Sequence, residues 1–595
     1  MLLRKSIINA YTQYWKDILV FIVIGMILSF LELLGISIIL PILDGTSSSA
    51  TKIPYPLSIV SAIFIDMEFN TKLKYIAIIL VIIFFIKGIF AYLNGILGAK
   101  LERKVSKNYV LKCYKGITSV NAGYLDGVKK TDLFTKSVAF AGGYGNVIRL
   151  IANIVPLLMT LAILMGALLM IYPIMLILSL SVAVFSSILI RNIHTKSELA
   201  GKKITQTNQK LNFIFIEEIS GLKTRRLSNS INQSVSFIKE RLEEWSISFL
   251  GLEKITVLIK PVIELIGIIS LAFILLGFSY FLNDSNMFVD NSTAILTFMV
   301  IFSRVLSPVS AINQSISDIK SNLPYLRITD EFLSELANEK VIDGHIEKTK
   351  IEKSIEFKNV TFRYNKSNTD SLSNVSFSIT EGSKVGIVGV SGSGKSTLVD
   401  LLLRHYQPTS GNILVDGIDL KDVTLVSWYE ILGIVNQDPF LFDSSISYNI
   451  SFGQDSGNLQ KTIIAAKKAH IHDFIMSLPD GYDSKVGGRG DLLSGGQRQR
   501  ISIARALYHD PDVLVFDEAT SALDSETELD IRSAITELST TKTIIMVTHR
   551  MSTILDSDLI IVMDKGKIIQ CGNPDDLIKQ KNSKFYQLLK GKSIG

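Results

Sequence analysis

Nine residues, GVSGSGKST from Gly389 to Thr397, follow the apolar run KVGIV and precede LVDLLLRHY, whose apolar positions have helical spacing. A strand, a glycine-rich turn and a helix in that order make a cradle for phosphate. Glycines let backbone N–H groups curl around phosphate oxygens, and the helix N-terminus adds its positive end. Gly389, Ser391, Gly392, Ser393, Gly394 and Thr397 form the cradle, Lys395 supplies a cation for the β and γ phosphates, and the Ser396 hydroxyl suits Mg²⁺. Downstream, VLVFDEATSALD reads as an apolar strand ending in two acids. Asp517 suits Mg²⁺, directly or through water, and Glu518 is placed to polarise a water in line with the γ-phosphate.

The elements that hold these residues fill only the second half of a chain of 595 residues, 48% apolar and 19% charged. From Ile18 to about residue 314 long apolar runs dominate, and from about Ile351 short strands and helices take over. Six spans are expected, at 18–43, 75–97, 150–171, 174–191, 255–282 and 291–312, each near the roughly 20 residues needed to cross hydrocarbon. The connections after the second and fourth spans carry Lys100, Arg103, Lys104, Lys107, Lys202, Lys203, Arg225 and Arg226, which places them and both termini in the cytoplasm. Tyr172–Pro173 makes the turn between the third and fourth spans, and NDSNMFVD, without Lys or Arg, lies outside. About seventeen residues precede the first span, which is read as an uncleaved helix. The outer connection 44–74 contains PYPLSIVSAIFIDME, which suits a short helix lying on the membrane surface or an apolar cap on the bundle. The formal charge of +6 sits mostly beside apolar runs, so nucleic acid is not expected as a partner. Cys113 and Cys571, both in regions expected to be cytosolic, are not expected to form a disulfide.

Between the two phosphate motifs lies LLSGGQRQR. With LSGGQ at Leu493 to Gln497, about a hundred residues after the phosphate loop, the chain resembles an ATP-binding-cassette (ABC) exporter along essentially its whole length. The resemblance implies a multidomain fold: an all-α six-helix transmembrane domain over 1–330, a linker over 331–352, and an α/β P-loop ATP-binding cassette over 353–595. It also implies ATP and Mg²⁺. Tyr364 in VTFRYN matches the aromatic that stacks on adenine, and Gln437 in VNQDPFLF the glutamine that senses Mg²⁺. Asp524 in SALD matches the aspartate that touches the opposite subunit, and His549 in VTHR the histidine that contacts the γ-phosphate. Ser494, Gly495, Gly496 and Gln497 would complete the ATP site of the opposite subunit, so a homodimer with two equivalent sites is the simplest working unit, with a heterodimer as the alternative. ITSVNAGYLDGVKKTD and FIEEISGLKTRRL resemble the family's coupling segments. One position departs: where exporters commonly read VGERG, this chain reads VGGRG, and Gly488 removes an acidic contact that Arg489 partly replaces.

The spans carry five charged residues: Glu32, Lys87, Lys260, Glu264 and Arg304. Left unpaired in lipid they would cost on the order of 15 kcal/mol, so most must pair or face water. At 1.5 Å per residue, Glu32 lies about 21 Å and Lys87 about 15 Å from the cytoplasmic side, a depth at which they can pair. Lys260 and Glu264, four apart, can pair along one helix. Arg304 is left without a partner, which favours a place on the substrate path or, where the helix extends below the membrane, in cytoplasmic water. The acidic residue in the first span, in the pattern E-x-x-G-I-S-x-x-x-P at Glu32, together with the outer segment suited to the membrane surface, resembles the flippases of lipid-linked oligosaccharides. The expected function is ATP-driven export or flipping of an amphipathic substrate across the cell membrane, with a lipid-linked oligosaccharide or other anionic lipid as the candidate cargo. The alternatives are export of a small peptide or drug and, from another class, an ATP-gated channel or regulatory ATPase.

Overall fold

The computed structural model describes residues 2–38, 67–171, 173–281, 285–364, 367–452, 458–518, 532–533 and 535–590. The chain divides into two compact units, Met1–Val120 with Tyr124–Lys340, and Val341–Gly595 with Asn121–Gly123.

The first unit is built on helices α1 (Leu2–Gln13), α2 (Trp15–Ser37), α3 (Phe69–Ile117), α4 (Ala141–Ile171), α5 (Pro173–Ser220), α6 (Ile231–Thr256), α7 (Ile259–Phe281) and α8 (Ser285–Asn338). Among the described residues four stretches are long and apolar enough to cross a membrane: Trp15–Gly35, Phe69–Ile117, Lys130–Leu169 and Ile231–Phe273. They carry the first, second, third and fifth expected spans. The fourth and sixth fall in α5 and α8, which include positions whose side chains are outside the description. The expected surface helix in the outer connection falls almost wholly on 39–66, outside the described residues, as does Tyr172.

Small residues let these helices approach closely, because lipid supplies no hydrophobic drive for helix association. A Cβ on Gly25 in α2 would come within 2.4 Å of Pro156 in α4. One turn on, Ser29 Oγ donates to the Pro156 carbonyl and lies 2.6 Å from Thr160 Oγ1. Gly25, Ser29 and Glu32 are spaced four and three apart, so the contact that seats Gly25 on Pro156 also aims Glu32. Further along the chain, α5 and α8 meet on a polar seam. His194 Nε2 lies 3.2 Å from Asn313 Oδ1, Ser197 Oγ lies 2.7 Å from Ser317 Oγ, and a side chain on Gly201 would collide with the Ser321 backbone.

Glu32 receives two cations. Lys87 of α3 donates to its Oε2, and Arg304 of α8 reaches its Oε1 at 3.3 Å. The expectation that Arg304 lacks a partner is therefore wrong. A carboxylate has two oxygens and can accept from two cations at once, and counting depth from the helix ends does not show that α8 passes within reach of α2. Lys260 and Glu264 lie 3.9 Å apart on α7, as their spacing implies.

The second unit contains two sheets, four-stranded β2-β1-β4-β5 and six-stranded β10-β9-β3-β8-β7-β6. The first comprises β1 (Ser354–Phe362), β2 (Leu372–Thr380), β4 (Ser410–Val415) and β5 (Ile418–Asp419), all antiparallel. The second comprises β3 (Lys384–Gly389), β6 (Leu432–Val435), β7 (Val513–Asp517), β8 (Thr543–Val547), β9 (Leu559–Asp564) and β10 (Lys567–Gly572). Its strands are parallel except β10, which runs antiparallel beside β9. Strand β3 is buried along its whole length, which is why its sequence is continuously apolar after Lys384 rather than alternating.

Glu32→Gln should leave Lys87 and Arg304 facing each other without a counter-charge. Thermal unfolding of the protein in lipid nanodiscs should shift down by an amount equivalent to about 2 kcal/mol, with much of the loss recovered in Glu32→Gln/Lys87→Met. An unshifted midpoint in the single variant would show that the group contributes nothing to folding.

Candidate functional site

Strands β3, β8 and β7 are neighbours and parallel, so their carboxyl ends open on one edge of the sheet, the usual ligand position in such sheets. The phosphate loop leaves β3, Asp517 and Glu518 end β7, and His549 follows β8. The loop's glycines are dictated by backbone geometry. Gly392 and Gly394 adopt left-handed φ of 77° and 103°, and a Cβ on Gly394 would approach the Ser371 carbonyl to 2.8 Å. Helix α9 (Lys395–Leu402) starts directly after Gly394. Ser391, Gly392 and Ser396 are exposed, whereas Ser393, Lys395 and Thr397 are buried.

Lys395 Nζ donates to the carbonyls of Gly389 (3.0 Å) and Val390 (3.2 Å), a parked position that phosphate oxygens would replace. Burial lowers its pKa, opposed by Glu518 and then Asp517. Among the described residues the buried Ser393 Oγ has no hydrogen-bond partner, an orphaned donor inside the loop that fits a phosphate oxygen. The pKa of Asp517 is raised by burial, then by Glu518 and Asp400, with Lys395 opposing. Carboxylates crowded around one lysine suit a divalent cation. Among the described residues no three His, Cys, Asp or Glu converge on a metal site, so Mg²⁺ would be held by Asp517, the Ser396 hydroxyl and the Gln437 amide oxygen together with phosphate, the oxygen donor set Mg²⁺ prefers.

Glu518 is the hub. Gln437 Nε2 donates to its Oε2 at 3.0 Å, and His549 Nε2 lies 2.6 Å from its Oε1. Its own N–H donates to the Val547 carbonyl at 2.8 Å, and its φ of 47° turns the chain away from β7. Three residues that the sequence analysis gave separate roles thus form one hydrogen-bonded group. Tyr364 is half-buried between Phe362 and Tyr406, its hydroxyl 3.1 Å from Thr397 Oγ1. Asp524 lies outside the described residues.

Ser494 and Gly495 are exposed at the start of helix α10 (Gly495–Leu507). Ser494 and Gln497 bond each other in a capping box, which fixes the helix start with the signature facing outward. Gly488 and Arg489 are also exposed, Arg489 in a left-handed turn.

Residues that no sequence motif marks tie α10 to the Gln437 segment. Gln499 Nε2 donates to the Asn436 carbonyl (3.1 Å), while Arg505 donates to the carbonyls of Phe440 (2.8 Å) and Asn449 (2.7 Å). Burial pulls the Arg505 pKa down to about 10. The available signal was polar residues at positions of α10 that its helical period turns inward.

A buried phosphate cradle, an acidic strand end and a histidine on one sheet edge define a nucleoside triphosphatase, fused in one chain to a helical membrane domain. Residues 372–521 match the ABC transporter family model and residues 18–306 that of the ABC transporter transmembrane region. An uncharacterized ABC transporter ATP-binding protein, YknU of Bacillus subtilis, is 30% identical over 84% of this chain and 86% of its own length. The putative multidrug export ATP-binding/permease protein YgaD of Bacillus subtilis is 41% identical over 49% of this chain, a match that spans about half (51%) of that relative. An ATP-dependent lipid A-core flippase of Syntrophus aciditrophicus is 32% identical over 67% of this chain and 64% of its own length. The structure of a bacterial Atm1-family ABC exporter with ATP bound has the same fold, with a TM-score of 0.80 over 98% of this chain and 99% of that one at 23% identity. The chain belongs to the ABC transporter family.

A folded-state pKa raised above the ordinary carboxylate value means that ionised Asp517 opposes folding at neutral pH, a cost that disappears as pH falls through the folded pKa toward about 4. Asp517→Asn should therefore raise the melting temperature of the nucleotide-free protein by about 2 °C while reducing the extra stabilisation that ATP and Mg²⁺ add. Calorimetry with and without ATP and Mg²⁺ checks both, and a lowered nucleotide-free midpoint would contradict the assignment.

Proposed function

We infer that this chain is a half-transporter that uses ATP hydrolysis to export or flip an amphipathic substrate, bearing a phosphate-type head, across the cell membrane. The observation that carries the substrate reading is the shared carboxylate: Glu32 faces both Lys87 and Arg304, which leaves this group of three side chains with one positive charge in excess. An anionic head would complete that balance, and an arginine can grip phosphate with two parallel N–H groups. Two relatives, one named a lipid A-core flippase and the other a putative multidrug exporter, agree with an amphipathic cargo. The domain division proposed is 1–330, 331–352 and 353–595, with both termini cytoplasmic.

In the ATP reaction Glu518 would orient and polarise the attacking water. His549 would turn from Glu518 to the γ-phosphate, and Lys395 would leave the Gly389 and Val390 carbonyls for phosphate. Tyr364 would support adenine, and Gln437 and Asp517 would hold Mg²⁺ with Ser396. Because Ser494 and Gly495 face outward, we place them, with Gly496, Gln497 and Asp524, at the ATP site of a second copy. The working unit is then a homodimer.

Glu518→Gln should abolish steady-state ATP hydrolysis, by at least about a hundredfold, while ATP binding persists. Near-normal turnover would remove Glu518 from catalysis. Arg304→Ala leaves Glu32 balanced by Lys87, so folding and basal ATPase should persist. Transport of a phosphate-bearing lipid in proteoliposomes should drop about tenfold or more, with partial recovery in Arg304→Lys. Unchanged transport with a neutral preferred substrate would overturn the anionic-head reading.

A further inference from the structure

We propose that a polar cleft in the membrane unit, separate from the Glu32 group, recognises a neutral, hydroxyl-rich sugar head on the exported amphiphile; the proposal rests on the export reading above. The cleft, about 570 Å³, is formed between α3, α4, α5 and α8. Four carboxamides line it, Asn146, Asn208, Asn212 and Asn322, of which Asn208 is engaged at both ends, accepting from Trp245 Nε1 and donating to the Tyr325 hydroxyl. The only carboxylate and the only cation among the described lining residues, Glu102 and Arg149, pair with each other at 3.0 Å. With its charges matched internally, the cleft offers hydrogen bonds but no net charge for a phosphate or an ammonium group.

The hydrogen-bonding capacity is partly spent and partly spare. Asn322 Nδ2 donates to the Asp318 carbonyl at 2.7 Å, which leaves its Oδ1, and Asn146 Oδ1 accepts from Arg149 Nη2 at 2.8 Å, which leaves its Nδ2. Asn212 makes no side-chain hydrogen bond to the described residues, so both its donors and its acceptor are available. A planar carboxamide with N–H and C=O side by side can accept from one hydroxyl and donate to the next, and a sugar presents adjacent hydroxyls in that way. An aromatic face is fixed beside them. The Tyr325 ring lies against Gly143, where a Cβ would come within 2.7 Å of it, and Phe140 braces it edge-on at 5.0 Å between centroids. Amides grouped with a braced aromatic suit a hydroxylated ring, which has polar edges and an apolar face. The expected second span ends at residue 97 and the third starts at 150, so Glu102 in α3 and Asn146 and Arg149 in α4 lie just beyond the expected cytosolic ends of those spans. A head group would reach them before its lipid tail enters the spans.

The wall contains its own reporter, because Trp245 Nε1 donates to Asn208 Oδ1 at 2.6 Å. The full-length protein in nanodiscs should show a saturable change in tryptophan emission on titration with maltotriose, and Trp245→Phe should remove that change. Triglycine and inorganic phosphate should give none. Asn212→Leu, which breaks no existing hydrogen bond, should weaken maltotriose binding roughly tenfold for each hydrogen-bonding group lost while basal ATPase stays unchanged. The proposal is overturned if maltotriose gives no saturable signal, if Asn212→Leu binds it as the wild type does, or if triglycine or phosphate saturates instead. The export reading is tested apart from this by ATP-driven translocation of any amphiphile in proteoliposomes. Transport without sugar binding refutes the cleft assignment alone, whereas absence of all transport refutes the reading on which it rests.

Discussion

A carboxylate taken out of bulk water needs compensation, and the arrangement of both units follows from how that need is met. In the membrane unit, Glu32 cannot face lipid, and its two oxygens draw one cation from α3 and one from α8. Helices far apart in sequence are thereby fixed to a common depth. The packing of Gly25 on Pro156 makes this attainable, because without that close approach α2 would present Glu32 elsewhere.

The same constraint acts at the sheet edge of the cassette with another outcome. Asp517 and Glu518 are adjacent acids at the end of a buried strand, and the compensation there is incomplete. Lys395 rests on loop carbonyls, Glu518 is held by Gln437 and His549, and the Asp517 pKa remains raised. A cation and a polyphosphate would supply the missing compensation, and part of their binding energy would then be available for reorganisation. Contacts that would move include the Gln437–Glu518 hydrogen bond. Because Gln499 and Arg505 tie the Gln437 segment to α10, a displacement of that segment is felt at the helix that begins with the signature serine.

Much of the candidate site was legible because it is local. Gly392 and Gly394 need left-handed backbone, Lys395 must follow them at the helix start, and Asp517 and Glu518 must follow an apolar strand, so each requirement is written within a few residues. The capping box of Ser494 and Gln497 is legible in the same way, being a bond between residues three apart. Arg505 and Gln499 were not legible as positioning groups, since their partners lie 56 to 65 residues away and nothing in the helix names them.

The sequence by itself determined the two-part composition, four of the six expected membrane spans, the phosphate cradle and the family, because periodicity and short-range backbone demands are properties of contiguous residues. Only the tertiary structure decided which charges meet. Arg304 and Glu32, separated by 272 positions, become partners through helix packing, and Glu518 gathers Gln437 and His549 through the order of strands in a sheet. The asparagines of the cleft come from three helices and converge only when these pack. Partner choice over such separations depends on the sum of many weak packing contacts, and no local pattern in the chain records that sum.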